Sequence, residues 1–298
     1  MNETPAGPTG HPPVVGVIGG SGIYGIESLE DAQWRRVESP FGAPSDEFLC
    51  GRLEGQPVVF LPRHGRGHPI PPSELNFRAN IDALKRLGVT EIVSVSAVGS
   101  LREDLGPGAF VIVDQFIDRT FARTKTFFSA GLVGHVSMAE PVCRRLGDHL
   151  ETAAKDLGIT HRRGGTYLAM EGPQFSTRAE SELYRAWGCH VIGMTNMPEA
   201  KLAREAEICY ATVAMVTDYD CWHDDHDHVT VDEVLRVLLE NADKARALVC
   251  RVTPALTGRQ GPCEAGCHHA LDAALITQPE ARDPHLVARL EAVAGRVL

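Results

Sequence analysis

Long apolar runs are missing from this chain. None approaches the ~18 consecutive residues that span a bilayer as a helix, so no membrane-spanning helix and no membrane partner are expected. A surplus of positive charge is missing as well: 29 Lys and Arg stand against 39 Asp and Glu, a formal net charge of -10, and aromatic residues make up only 6% of the chain. Such a surface repels a phosphate backbone and offers few rings on which bases could stack, so nucleic acid is not an expected partner and any anion site must be local. The opening stretch, MNETPAGPTGHPP, lacks the basic and apolar regions of a secretory signal. The expectation is a cytoplasmic protein whose residues 1–12 form a disordered leader. Clustered cysteine is also lacking. The eight cysteines, at 50, 143, 189, 209, 221, 250, 263 and 267, are spread through apolar segments, which favours reduced and mostly buried thiols. Only Cys263 and Cys267 lie close together, in GPCEAGCHHA. A local disulfide or two free thiols is expected there ahead of a metal site with His268 and His269, and no metal is expected.

What the chain does have is 298 residues at 43% hydrophobic content, enough for one large domain or two modest ones. Short β-branched runs alternate with amphipathic stretches. Strands are expected at 14–18, 57–61, 91–96, 110–114, 166–170, 190–194 and 208–217, and helices near 75–87, 141–157, 178–187, 198–206 and 230–250. Ser73 reads as a helix start, and Thr177 with Glu180 and Thr230 with Glu233 read as capping boxes. Strands separated by helices imply an α/β fold: a single domain with a mixed, mostly parallel central sheet flanked by helices. That domain is expected over 13–256, with 257–298 as a C-terminal helical appendage, ending in a helix from about 283 to 297, that packs on the domain or on a neighbouring subunit.

Gly20-x-Gly22-x-x-Gly25, after the run VVGVI, has the spacing of a dinucleotide-binding turn. Such a turn should open a helix and lead to a second strand ending in an acidic residue. Instead IESLEDAQWRRVESPFGAPSDE follows, without a buried helical stripe. No nicotinamide, flavin or other organic cofactor is therefore expected, and Ser21 suggests a hydroxyl and loop amides gripping a single phosphate.

Four segments at strand ends carry unusual polar residues. LPRHGRGH (61–68) offers Arg63 and His64, suited to phosphate, or else a solvated basic loop. SAVGSL (96–101) gives way from hydroxyl to glycine, allowing close backbone approach or only a tight turn. MEGPQFSTRAES (170–181) sets Phe175 and Ser176 before a capped helix, where an aromatic can serve packing or stacking. VTDYDCW (216–222) ends an apolar strand with Asp218 and Asp220, which strand alternation points the same way, as two carboxylates on one ligand edge or as loop caps. The run HDDHDH (223–228) is expected to be a solvated loop ahead of a metal cluster.

Together with SPFGAPSD, NFRANI, DQFIDRT, HVSMAEP and GMTNMPEA, these segments resemble the trimeric nucleoside phosphorylases, and more closely the 5'-methylthioadenosine phosphorylases, from about Val14 to Leu256. The resemblance implies phosphorolysis of methylthioadenosine to adenine and methylthioribose 1-phosphate by a homotrimer without metal or organic cofactor. It implies phosphate held by Ser21, Arg63, His64, Ser96, the Ala97 backbone and Thr195, and sugar against Met194. Phe175 and Ser176 would lie along the purine, with Asp218 and Asp220 at its N6 and N7 edge. Val231, Val234, and His135 with an apolar tail residue from a neighbouring subunit, Leu271 or Leu275, would enclose the methylthio group. Ser21 and Ser96 stand where the family often has threonine. The rival expectations are a purine nucleoside or methylthioinosine phosphorylase of the same fold, and a non-catalytic nucleoside- or metal-binding protein.

Overall fold

The β-branched runs become the middle of one sheet. The computed structural model describes residues 13–20, 22–223, 231–256 and 263–298, the side chains of 231–235 excepted. β1 (Val14–Gly19), β4 (Gln56–Pro62), β5 (Val89–Ser100) and β11 (Cys209–Tyr219) are almost wholly buried and lie parallel in the order β4-β1-β5-β11. Strands buried on both faces need no polar alternation, which is why they read as continuous apolar segments. β2 (Glu30–Arg35) and β3 (Phe48–Leu53) add an antiparallel edge beyond β4. The polar sequence EDAQWR of β2 is exposed throughout, so no apolar pattern announces it as a strand. β10 (Val191–Gly193), β9 (Thr166–Ala169) and β7 (Gln115–Asp118) continue the sheet from the far end of β5, while β6 (Phe110–Ile112) and β8 (His161–Arg163) extend it from β11. The sheet is mixed, with parallel and antiparallel ladders side by side, and helices cover both faces.

Alternate residues show which helix covers which face. Ile18 and Ile92 join the core built by α1 (Phe77–Arg86) and α4 (Asn196–Glu205), whereas their neighbours Val17 and Val93 join the core built by α2 (Arg144–Asp156) and α5 (Val231–Ala255). α3 (Arg178–Ala186) opens with the expected capping box: the Thr177 hydroxyl accepts from the Glu180 N–H, and the Glu180 carboxylate accepts from the Thr177 N–H. Ser73 is a different matter. Asn76 caps α1, accepting from the Ala79 N–H at 3.1 Å, and the Ser73 hydroxyl donates to Glu171. The Thr230 box lies outside the described residues. The tail helix breaks at Leu290 into α6 (Pro284–Arg289) and α7 (Glu291–Ala294), and Leu271, Ala274, Leu286, Leu290 and Val293 bury themselves in the same core as α1 and α4. No described helix is long and apolar enough to cross a membrane.

One buried acid makes this packing sensitive to pH. Glu205, at the end of α4, accepts from the Phe127 N–H and the Thr126 hydroxyl, both at 2.7 Å, yet burial pushes its carboxyl up to about 7. A folded-state value above the ordinary one of roughly 4.3 means that its stabilising contribution is whole below that pH and is lost as pH rises through about 7. Glu205→Gln should therefore gain on the wild type between pH 5 and pH 8 by ~1–3 kcal/mol in denaturant unfolding. Parallel stability profiles would contradict the assignment.

Candidate functional site

The site begins where β5 changes partners. Its ladder with β1 ends at Ser94 opposite Ile18, and β10 takes up Gly99 and Ser100. Residues 95–98 pass between the two ladders. Ala97 is exposed there although Ser96 and Val98 on either side are buried, so the backbone can be approached. The Ser96 hydroxyl lies 3.0 Å from the Thr195 hydroxyl and 3.2 Å from that of Tyr167. Thr195 precedes α4 without spending its side chain on a cap, and the backbone turns extended at Met197 (φ −118°, ψ 131°), so what this end of α4 offers an anion is the hydroxyl pair.

Arg63 and His64 follow β4 directly, and the Arg63 N–H donates to the Gly19 carbonyl at 2.9 Å, which holds this turn against the end of β1. The guanidinium does not open outward as a fork for phosphate. It points inward, 2% exposed, with Nε donating to Glu199 Oε2 at 2.9 Å, Nη2 to Ser94 Oγ at 2.6 Å and Nη1 to the Val95 carbonyl at 3.0 Å. Burial opposes its charge, but the Glu199 carboxylate more than offsets that and keeps Arg63 firmly cationic. His64 stacks on His68 with ring centroids 4.1 Å apart, and its Nδ1 lies 2.8 Å from the Ile70 carbonyl. Burial, and next the Arg63 charge, lower its pKa to about 4. Near neutrality it is therefore uncharged, Nδ1–H donates to Ile70, and Nε2 is left as an acceptor. Ser21 lies outside the described residues.

At the other end of the passage, Gly99 leaves room for two aspartates to approach. A Cβ there would stand 3.4 Å from Asp218 Oδ1 and 3.5 Å from Asp220 Cβ. Simple alternation is not the cause: the β5–β11 register slips between Val216 and Asp218, and Asp220 lies past the strand end. The Thr217 hydroxyl donates to Asp218 Oδ2 at 2.7 Å. Asp220 is buried, and its Oδ2 has no hydrogen-bond donor among the described residues. A buried carboxylate oxygen in that condition is costly until something supplies an N–H or O–H.

The loop between β9 and α3 is tied to these acids by Cys221, whose thiol donates to the Ser176 carbonyl at 3.3 Å. Ser176 is buried with its hydroxyl 3.7 Å from Met170 Sδ, but the Phe175 ring is 84% exposed. Met194 lies against Gly172, where a Cβ would come within 2.5 Å of its sulfur. Sequence reasoning missed what holds that contact. Arg123 donates through Nη1 to the Met194 and Met197 carbonyls, each at 2.6 Å, and through Nη2 to the Glu171 carbonyl at 2.7 Å. Glu171 in turn accepts from Arg123 Nε at 3.2 Å and from the Phe121 and Ala122 N–H groups; although burial opposes ionisation, the Ser73 hydroxyl and those N–H groups bring its pKa down to about 2. Nothing periodic in the sequence marks Arg123.

The remaining candidates are more remote. The side chains of Val231 and Val234 lie outside the described set. His135 is exposed, on a segment fixed to the tail by its N–H to the Ala274 carbonyl at 2.8 Å and by the Gly134–Leu275 bridge. Of the two tail leucines, Leu271 is buried in its own core and cannot project to a neighbour, whereas Leu275 is half-buried; the exposed apolar residues beside His135 are Val133 and Ile276. A polar recess of about 460 Å³ lined by Leu101, Arg102, Glu103, Asp104, Arg185 and Cys189 includes none of the candidate residues, so volume alone does not locate the site.

Comparison with known proteins adds a family to this geometry. Residues 14–254 match the model of the phosphorylase superfamily. The S-methyl-5'-thioadenosine phosphorylase of Rhodospirillum rubrum is 68% identical over 286 residues, 96% of this chain and 97% of that protein. A methylthioadenosine phosphorylase from an antarctic soil metagenomic library superposes with a TM-score of 0.90 at 48% identity, covering 94% of this chain and 98% of its own. A Schistosoma mansoni adenosine/methylthioadenosine phosphorylase variant, solved in complex with methylthioadenosine, superposes with a TM-score of 0.79 at 38% identity over 84% of this chain and 93% of its own.

The inward turn of Arg63 generates a prediction about stability. Arg63→Met or Glu199→Leu alone strands a buried charge and should cost ~3–5 kcal/mol, whereas the double variant should recover much of that loss. Chemical denaturation in a double-mutant cycle tests it, and additive losses would show that the pair is not coupled.

Proposed function

The chain belongs to the phosphorylase superfamily, and from that premise we propose that it cleaves 5'-methylthioadenosine with inorganic phosphate, giving adenine and 5-methylthioribose 1-phosphate. It is on this reading a pentosyltransferase of methionine and purine salvage, cytoplasmic, with phosphate as co-substrate and neither organic cofactor nor catalytic metal. The observation that carries the proposal is the convergence of Asp218 and Asp220 at Gly99, with a buried Asp220 oxygen wanting a donor. At position 6 an aminopurine offers N–H donors to a carboxylate, whereas the O6 and N7 edge of an oxopurine offers only acceptors. Three residues of strand separate Gly99 from the Ser96 hydroxyl, ~10 Å at about 3.3 Å per residue, the span of a pentose set between a base and an anion.

Breaking the glycosidic bond puts positive charge on the sugar and negative charge on the base. In the proposed arrangement Ser21, His64, Ser96, Thr195 and the Ala97 backbone hold phosphate beneath the ring, and the buried Arg63 charge lies just behind Ser94 and Val95. Neutral His64 accepts a hydrogen bond from a phosphate O–H at Nε2, which orients the anion beneath the sugar without taking its proton. Met194, fixed by Arg123, meets the sugar, while Phe175 and Ser176 lie along the purine. A protonated Asp218 delivers a proton to N7 as the bond breaks, and Asp220 accepts from the 6-amino group. Val231, Val234, His135 and an apolar residue of the neighbour's tail enclose the methylthio end in a homotrimer.

The direct test is a panel of methylthioadenosine, adenosine, methylthioinosine and inosine, each with and without phosphate. Adenine should appear from methylthioadenosine only when phosphate is present, and cleavage independent of phosphate would refute the proposal. Asp218→Asn should lower methylthioadenosine turnover ~100- to 10,000-fold, the usual loss of a general acid, while harming methylthioinosine far less. Equal losses would show that Asp218 does not read the base. For the assembly, Asp218→Ala and His135→Trp should each be inactive and regain part of the activity once their subunits exchange, because some mixed sites are then intact. A fully active monomer by light scattering would end the trimer proposal.

A further inference from the structure

Four cysteines that lie far apart in sequence meet in the core. Cys143 precedes α2, Cys209 begins β11, and Cys263 and Cys267 flank a turn in the tail; all four are buried, and their sulfurs lie within 4.8 Å of one another. We propose that this cluster is a structural zinc site with four thiolate ligands. Only half of it is visible along the chain, which is why Cys263 and Cys267 read as a local disulfide or two free thiols; His268 and His269 are not part of the cluster.

The geometry suits a metal better than it suits packing or oxidation. Cys209 Sγ and Cys263 Sγ are 3.7 Å apart, and none of the four thiols forms a disulfide. Tetrahedral zinc with bonds of about 2.3 Å requires sulfur–sulfur edges of ~3.8 Å, whereas a disulfide requires about 2.05 Å. The turn has the form of a metal-binding knuckle. Gly266 adopts φ +59°, the left-handed region, and its N–H donates to the Cys263 carbonyl at 2.9 Å, after which the Cys267 N–H points at Cys263 Sγ at 3.2 Å. Two guanidinium groups face the sulfurs, Arg204 Nη1 at 3.3 Å from Cys267 and Arg145 Nη2 at 3.8 Å from Cys209. Zn²⁺ with four thiolates carries two net negative charges; Arg204 faces the sulfurs as a counter-charge, and Arg145, shared with the buried carboxylate of Glu91, adds a second N–H donor to Cys209.

Loading displaces four thiol protons and involves no electron transfer: each Cys–SH becomes a thiolate bound to Zn²⁺, and the protons leave to solvent. Four protein donors leave no open position for a substrate, so the centre is structural. It also lies at the opposite end of β11 from Asp218, ~30 Å away at about 3.3 Å per residue. Its effect is on the tail. The metal would rivet residues 263–267 to α2 and β11, and the same tail holds the segment carrying His135 through the Ala274 and Leu275 contacts.

The wild-type protein, expressed with zinc in the medium and purified without chelator, should carry about one zinc per chain by mass spectrometry of the metal. Its zinc-edge X-ray absorption should fit four sulfurs near ~2.3 Å with no nitrogen or oxygen ligand. Cys263→Ser and Cys267→Ser should fall below about a tenth of an equivalent, while Cys189→Ser, a buried cysteine outside the cluster, should keep the full complement. The wild-type measurements need no variant to fold. Metal-free protein with four titratable thiols, disulfides among these cysteines by peptide mapping, or stoichiometric iron with a visible charge-transfer band would each overturn the zinc assignment.

Discussion

The ion pair between Arg63 and Glu199 is the constraint on which the candidate site rests. A guanidinium with 2% exposure must be matched by a carboxylate and by acceptors for its other N–H groups, and Arg63 takes these from α4 through Glu199 and from β5 through Ser94 and Val95. Its backbone is meanwhile bonded to Gly19 at the end of β1. One residue therefore fixes β1, β4, β5 and α4 relative to one another, at the level where β5 leaves β1. Glu199 also accepts from Ser94 and from Tyr210, and Asn196 donates to Ser94, Tyr210 and Thr212, so the floor beneath Ser96 and Thr195 is a continuous polar network within an apolar sheet. Such a network holds hydroxyls in place above it more stiffly than dispersion alone would.

A second pair does similar work around Met194. Arg123 and Glu171 are both largely buried, and between them they hold the Met170–Glu171 and Met194–Met197 carbonyls and the Phe121–Ala122 amides. Ionic groups at the two ends thus position a set of mostly neutral contacts: hydroxyls, amides, a thioether and an uncharged imidazole. In the proposed arrangement, neutral donors at the anion site would leave the phosphate's own charge available to the developing cation on the sugar.

Much of this was legible in the sequence, and the parts that were not share a cause. The central strands could be read because residues buried on both faces must be apolar, and the polar ends of β4, β5, β10 and β11 stood out against that background. β2 and β8 could not, since EDAQWR and HRR show no apolar stripe. Arg63 was recognised as important, but its direction depends on Glu199, 136 residues away. Asp218 and Asp220 were paired correctly for an incomplete reason, because the slip opposite Gly99 rather than strand alternation brings them together. Cys143 and Cys209 looked like ordinary core thiols until the tail folded against them.

The proposal that phosphate sits where β5 parts from β1 has one most direct test: separate saturation curves for phosphate and for methylthioadenosine in Ser96→Ala and Thr195→Val. Each substitution removes one hydroxyl and leaves the Arg63–Glu199 pair intact. If the hydroxyls bind phosphate, the KM for phosphate should rise at least ~10-fold, the loss of a charge-assisted hydrogen bond, with the KM for the nucleoside changed by less than about threefold. A rise confined to the nucleoside, with the phosphate curve unmoved, would contradict the account and put the anion elsewhere.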